Sequence, residues 1–156
     1  MGPYLERFSK FSHSIFLRLD WISRSVSPSE RISRFITSKR WINETKGSIS
    51  PAAFIPSAKT KATSVYRTSG CKESRVWSLG TLFVERMRRD KAKILGRADV
   101  RSDIVFKEEL KIRPLLFPHP RHADLTNWPE EKDAQKDKAL ALAQASALRI
   151  VPRAQS

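Results

Sequence analysis

The chain has one cysteine, Cys71, among its 156 residues. A single thiol closes no intramolecular disulfide and builds no zinc site by itself. That usage is the one expected in a reducing compartment. Histidine occurs three times and glycine five times, and no Gly-rich phosphate loop or dinucleotide fingerprint can be found. Long apolar runs are missing as well. The longest, Ala139 to Ala143, spans five residues, whereas a membrane-spanning helix needs about 20. No apolar stretch precedes a small-residue cleavage site, so a secretory leader is not expected. Acidic groups are scarce beside basic ones: 16 Asp and Glu against 30 Lys and Arg, a net charge of +14 and a pI near 10.5.

What is present is enough to fold. Leu, Ile, Val and Phe make up a quarter of the chain, above the level of about a fifth below which high net charge signals disorder. The length suits one domain, and no internal repeat breaks it up. The first 30 residues stand apart. They are rich in Ser and Arg and poor in acids, and Phe8, Phe11, Ile15, Leu19 and Ile22 recur at helical steps. Such a segment reads as a flexible basic arm or extension, or as an organellar transit segment. Ser27-Pro28-Ser29-Glu30 is the natural break before a single small domain over 31–156.

Within that domain, Ile32, Phe35 and Ile36 predict a short helix by their spacing. Ser50 to Pro56 is an apolar stretch that its prolines confine to an edge strand or extended segment. Thr63 to Thr68 reads as a strand, with a turn at Ser69-Gly70. Val76, Leu79, Phe83, Val84 and Met87 line one face of a helix over Lys72–Asp90, in which Gly80 is expected to cost about 1 kcal/mol relative to Ala. Ala98 to Phe106 and Glu109 to Phe117 read as two strands of a hairpin, with Asp103 to Phe106 and Leu110 to Arg113 as their centres. Pro114, Pro118 and Pro120 interrupt regular sheet, so 119–128 is expected to be loop. Glu130 to Leu148 is an alanine-rich helix with acids in its first turn. The fold class expected is α+β: a small, mostly antiparallel sheet, the two main helices packed on one face, and a loosely attached N-terminal arm.

Three patterns bear on chemistry. His119-Pro120-Arg121-His122-Ala123-Asp124 is the densest. His119 and His122 are the candidate proton-transfer groups, and Arg67, Arg97 and Arg121 are candidates to hold an anion such as a phosphate. The His-x-x-His-x-Asp spacing also matches metal ligands, although a loop does not fix both rings on one side, and neither metal nor cofactor is assigned. The bland reading is a set of loop polar groups, with Asp124 or Asn127 capping the next helix. An inward Arg67 needs a partner, for which Asp99 or Asp124 is available. Second, Arg86, Arg88, Arg89, Lys91 and Lys93 form a basic run suited to nucleic-acid phosphates, or simply a solvated helix end. Trp21, Trp41, Trp77 and Trp128 can stack on bases, but their dispersal favours anchoring roles. Third, Cys71 precedes a helix, where a Cys–His pair with His119 or His122 is the sharper reading and an inert thiol the plainer one.

Ser50-Pro51-Ala52-Ala53-Phe54, Thr63-Ser64-Val65-Tyr66-Arg67, Val76-Trp77-Ser78-Leu79-Gly80, Gly96-Arg97-Ala98-Asp99, Pro120-Arg121-His122-Ala123-Asp124 and Trp128-Pro129 together resemble a group of small bacterial proteins over about residues 31–148. The resemblance implies a bacterial, cytosolic setting and brings no activity with it. The function expected is binding of a nucleic acid or another polyanion. The alternatives are a phosphoester- or nucleotide-directed enzyme built on the Arg/His cluster, and a structural or interaction protein without catalysis. A cytoplasmic location is expected, or an organelle if residues 1–30 direct transit.

Overall fold

The computed structural model describes residues 24–153. The arm's proposed helical face, Phe8 to Ile22, and Trp21 lie outside them. Among the described residues, eight strands and three α-helices follow one another: β1 Arg31–Ile36, β2 Ile42–Asn43, β3 Ser48–Ile49, β4 Thr63–Arg67, α1 Glu73–Gly80, β5 Gly96–Arg101, α2 Ser102–Lys107, β6 Lys111–Pro114, β7 His122–Thr126, α3 Lys132–Ala145 and β8 Ala147–Ile150. Six strands form one antiparallel sheet in the order β6-β7-β4-β1-β5-β8, and β2-β3 form a small hairpin. The chain is α+β, as its sequence predicts.

β1 is central. It pairs with β5 along its whole length, Arg31 opposite Arg101 through Ile36 opposite Gly96. On its other side it pairs with β4 only at Ile32–Arg67 and Ser33–Tyr66. A strand covered on both faces loses the apolar–polar alternation that marks a half-exposed one. Ile32, Phe35 and Ile36 therefore mimic a helical stripe, and the helix expected there is a strand.

Residues directly opposite in an antiparallel pair share a face. Ile32, Ile36, Val65, Ala98, Val100, Ala123 and Leu125 thus form one apolar face, and Ala139, Leu142 and Ala143 of α3 pack on it with Phe54. Phe35 and Tyr66 point the other way and meet Val76 and Leu79 of α1. The two main helices accordingly lie on opposite faces of the sheet rather than sharing one. Neither could share a face, because β1 buries bulky side chains in both directions.

Other expectations shift for similar reasons. The Asp103–Phe106 segment is helical, within α2, because Ser102 and Asp103 tie back to the backbone of Glu30 and Pro28 and turn the chain. β6 then pairs with β7 instead of closing a hairpin with that segment. Pro114 ends β6 opposite Ala123, Pro118 and Pro120 lie in the β6–β7 connection, and regular strand resumes at His122. Pro51–Ala53 is a short 3₁₀ turn that Ser50 caps, not an edge strand. Residues 25–30 are stitched to the body: Glu30 holds Arg67, and Ser25 accepts from it. Ser27 and Glu30 bond reciprocally, as at a helix start, but close a turn before β1.

The helix over 72–90 stops early. After Gly80 it widens into one π-helical turn, Thr81–Glu85. A Cβ on Gly80 would come within 2.8 Å of the Phe35 ring and 2.6 Å of Ile94. The missing side chain therefore lets α1 sit on the sheet. Gly80→Ala is expected to lower the melting temperature, because overpacking costs about 1–3 kcal/mol and outweighs a helix-propensity gain of about 1 kcal/mol. A thermal melt of the two proteins checks it.

Candidate functional site

The five candidate site residues read from the sequence, Arg67, Arg97, His119, Arg121 and His122, fall into four environments. Arg67 and Arg121 lie at one end of the apolar face. Arg67 is 3% exposed and forms a fork with Glu30, Nη2 to Oε1 at 2.7 Å and Nε to Oε2 at 2.8 Å. Burial pushes the Glu30 carboxyl up, but the bonds from Arg67 and the Ser27 amide, with the charges of Arg67 and Arg121, hold it below its ordinary value. Arg121 Nη1 donates to the carbonyls of Arg67 and Ser69. Arg67's carboxylate partner is thus Glu30, not Asp99 or Asp124.

Arg97 occupies a separate network on the opposite face. It is fully buried. Its Nε donates to Asp99 at 2.9 Å, and its Nη1 and Nη2 donate to Glu73 at 3.0 and 2.7 Å. Trp77 stacks on the guanidinium at 4.5 Å. Asp99 also accepts from Ser33 Oγ, which bonds Thr68 in turn. The Arg97 hydrogen bond, with the charges of Arg97, Arg31 and Arg149, holds the Glu73 carboxyl below its ordinary value. The fold does not bring the three arginines into one anion site. Arg67 and His122 leave the sheet on opposite faces, because Tyr66, not Arg67, stands opposite His122.

His119 and His122 differ sharply. His119 is buried, its ring lies 4.8 Å from that of Phe83, and its Nδ1 accepts the Arg121 amide at 3.1 Å. Burial, with the charges of Arg121 and Arg75, pulls its pKa down to about 4. It is a neutral structural imidazole, not a proton-transfer group near pH 7.

His122 lies in β7 beside Ser64 of β4. Its Nδ1 is 2.9 Å from the Phe117 carbonyl, which only accepts, so Nδ1 carries the proton. In the neutral ring, Nε2 then takes the hydrogen bond of the Ser64 hydroxyl, at 2.7 Å. Asp124 Oδ1 is 3.7 Å from the same Nε2 and caps no helix. An open hollow of about 520 Å³ adjoins the pair, lined by Arg34, Trp41, Ile55, Ser64, His122 and Asp124 among others. The hollow exists because β1 and β4 part after Ser33–Tyr66. Arg34 fills the gap: Nη1 donates to the Ser64 carbonyl at 2.9 Å, Nε to that of Ala53 at 2.8 Å, and Trp41 covers the guanidinium at 5.0 Å. Burial, with the charge of Arg88, lowers the Arg34 pKa to about 10, so it stays cationic at neutral pH.

Ser64 and Arg34 did not stand out in the sequence, and Trp41 did so only as one of four dispersed tryptophans. The period-two pattern of His-Ala-Asp-Leu-Thr, which puts Ala123 and Leu125 in the core and turns His122 and Asp124 the other way, was the available sign that His122 lies in a strand. No pattern links it to Ser64, 58 residues away.

The remaining candidates are placed simply. Arg86, Arg88, Arg89, Lys91 and Lys93 are exposed on the loop after the π turn, with Arg88 paired to Asp90 and Lys93 to Glu85. Cys71 packs against the second core cluster, that of Phe35, Tyr66, Val76, Leu79 and Ile94, and among the described residues it makes no hydrogen bond with either histidine. Trp41 and Trp128 pack against the main core and Trp77 against the second. Among the described residues, no group of three or more His, Cys, Asp or Glu is placed to hold a metal ion, and no helix is long and apolar enough to cross a membrane.

His119 makes stability pH-dependent. Its folded pKa is depressed, so its contribution is complete above the unfolded value near 6.5 and is lost as pH falls toward about 4. Over that window the unfolded chain binds more protons, and stability rises with pH. In His119→Asn the side-chain oxygen can replace Nδ1 as acceptor. Urea unfolding from pH 7 to 4 is expected to show a shallower decline for this variant, the difference being on the order of 3 kcal/mol. Comparison of the chain with protein-family models, with curated proteins and with solved structures gives no match.

Proposed function

We propose that this protein binds a nucleic acid or another polyanion through the side of the sheet that carries α1. The observation that carries this reading is how strand alternation distributes charge. Arg31 stands opposite Arg101, Arg97 opposite Arg149, and Lys111 and Arg113 follow the same alternation in β6. All six belong to the face that α1 covers only in part; Arg97 is enclosed beneath α1, and the other five are at least partly exposed. Like charges directly opposite destabilise a sheet, and four acids offset them: Asp99 and Glu73 at Arg97, Asp103 at Arg101 and Asp124 at Arg113.

The basic loop after the π turn adds to the same side. Among the described residues, Arg86, Arg89 and Lys91 reach solvent with no carboxylate partner. On the other side of the sheet, α3 and its approach are nearly balanced: Glu130, Glu131, Asp133 and Asp137 offset Lys132, Lys136 and Lys138. Over these elements the positive surplus lies on the α1 side, and a one-sided surplus is what phosphate neutralisation along a polymer requires. The absence of any base-reading motif fits contacts to backbone phosphates, which position a protein without reading sequence.

Anisotropy titrations with short unrelated duplex DNA and single-stranded RNA test this. Log affinity is expected to fall linearly with log salt. The triple variant Arg86→Ala, Arg89→Ala, Lys91→Ala is expected to flatten the slope by about 2–3, near 0.7–0.9 per lost phosphate contact. No binding at low salt, a flat salt profile, or an unchanged slope in the variant overturns the reading.

A further inference from the structure

We propose that Ser64 and His122 form a nucleophile–base pair that cleaves an uncharged carboxylic ester held in the adjoining hollow, an activity separate from polyanion binding. A serine hydroxyl is a weak nucleophile until a base at hydrogen-bond distance takes its proton and a third group orients that base. All three parts are in place. Ser64 Oγ lies 2.7 Å from His122 Nε2. The Phe117 carbonyl, 2.9 Å from Nδ1, fixes the ring so that the Nε2 lone pair faces the serine. Tyr66 packs on the imidazole at 5.2 Å and helps to hold its plane.

A fourth part is electrostatic. Arg34 is tied to the Ser64 carbonyl through Nη1 and to Ala53 through Nε, and among the described residues its Nη2 has no hydrogen-bond partner. The guanidinium lines the hollow beside the serine and can meet negative charge that develops on an acyl oxygen. The lining also selects the substrate. Trp41, Ile55 and Ala62 are apolar, and Asp124 stands 3.7 Å from Nε2. That carboxylate repels an anionic phosphoryl group but stabilises the imidazolium that forms when an uncharged acyl carbon is attacked. The chemistry favoured is therefore acyl transfer, not phosphoester cleavage.

The step balances without a cofactor. Ser64 Oγ bonds to the acyl carbon as its proton passes to His122 Nε2. The acyl C–O bond to the alcohol breaks, and the departing oxygen takes that proton. Water then attacks the acyl-serine, giving up a proton through the same nitrogen. The products are the alcohol, released in the first step, and a carboxylic acid, with the Ser64 hydroxyl regenerated.

The full chain is treated with a fluorophosphonate probe, which captures activated serines, and separately with p-nitrophenyl butyrate. Labelling is expected at Ser64 by peptide mapping and is expected to vanish in Ser64→Ala. His122→Ala is expected to slow ester turnover by about 10²–10⁴-fold. Arg34→Lys is expected to keep the charge, lose the fork, and lower kcat with KM nearly unchanged. Circular dichroism of each variant separates lost chemistry from lost fold, and if His122→Ala unfolds, His122→Gln takes its place. Absence of both labelling and turnover overturns the proposal, as does labelling that persists in folded Ser64→Ala. Turnover of bis-p-nitrophenyl phosphate in place of the ester overturns the substrate class.

Discussion

The two-residue period of β1 and β5, locked in register along six consecutive pairs, is the constraint on which the rest depends. It sends Ile32, Ile36, Ala98 and Val100 into one layer and Arg31, Phe35, Arg97 and Asp99 into the other. A slip by one residue would drive the arginines under α3 and expose the aliphatic set. Burial of each large aliphatic or aromatic side chain is worth about 1.5–3 kcal/mol, so the apolar layer fixes the register and the charged layer follows. The cationic face is thus a consequence of core packing as much as of composition.

Charge then anchors the second layer. A helix of eight residues does not hold itself together in water. α1 buries Val76 and Leu79, and its first residue, Glu73, reaches Arg97 beneath it. The Arg97 guanidinium is wholly enclosed, and an uncompensated buried charge costs several kcal/mol. Two carboxylates and the Trp77 face meet that demand. The same logic binds residues 25–30 to the body through Glu30 and Arg67. Carboxylates committed to buried arginines do not neutralise the surface.

The two histidines of the 119–124 stretch show how little residue type decides alone. His119 lies beneath Phe83 with Arg121 and Arg75 nearby, and its proton is lost. His122, three residues on, lies at a strand position whose ring meets a hydroxyl on one side and a carbonyl on the other. Chain direction at β7 separates them, since regular strand begins between the two. The hollow beside His122 has a similarly local origin. β1 and β4 stop pairing after two residues, the Ser64 carbonyl loses a strand partner, and the Arg34 guanidinium takes its place.

Several features were written in local pattern. The antiparallel α+β class, the Thr63–Arg67 strand, the alanine-rich last helix and the helical start after Lys72 follow from propensity and spacing. So does the positive surplus. Other features followed from contacts between distant segments. β1 mimics a helix because it is buried on both faces. Asp103–Phe106 mimics a strand because Ile104 and Val105 are β-branched, yet ties to Glu30 and Pro28 bend it. The partners of Arg67 and Arg97, the opposite placement of the two helices, and the meeting of Ser64 with His122 depend on strand order, which no short-range pattern encodes. Sequence determined which groups were available and the period at which they recur. Tertiary structure decided which of them face one another, because register is chosen by the burial of the whole apolar layer and not by the residues that it brings into contact.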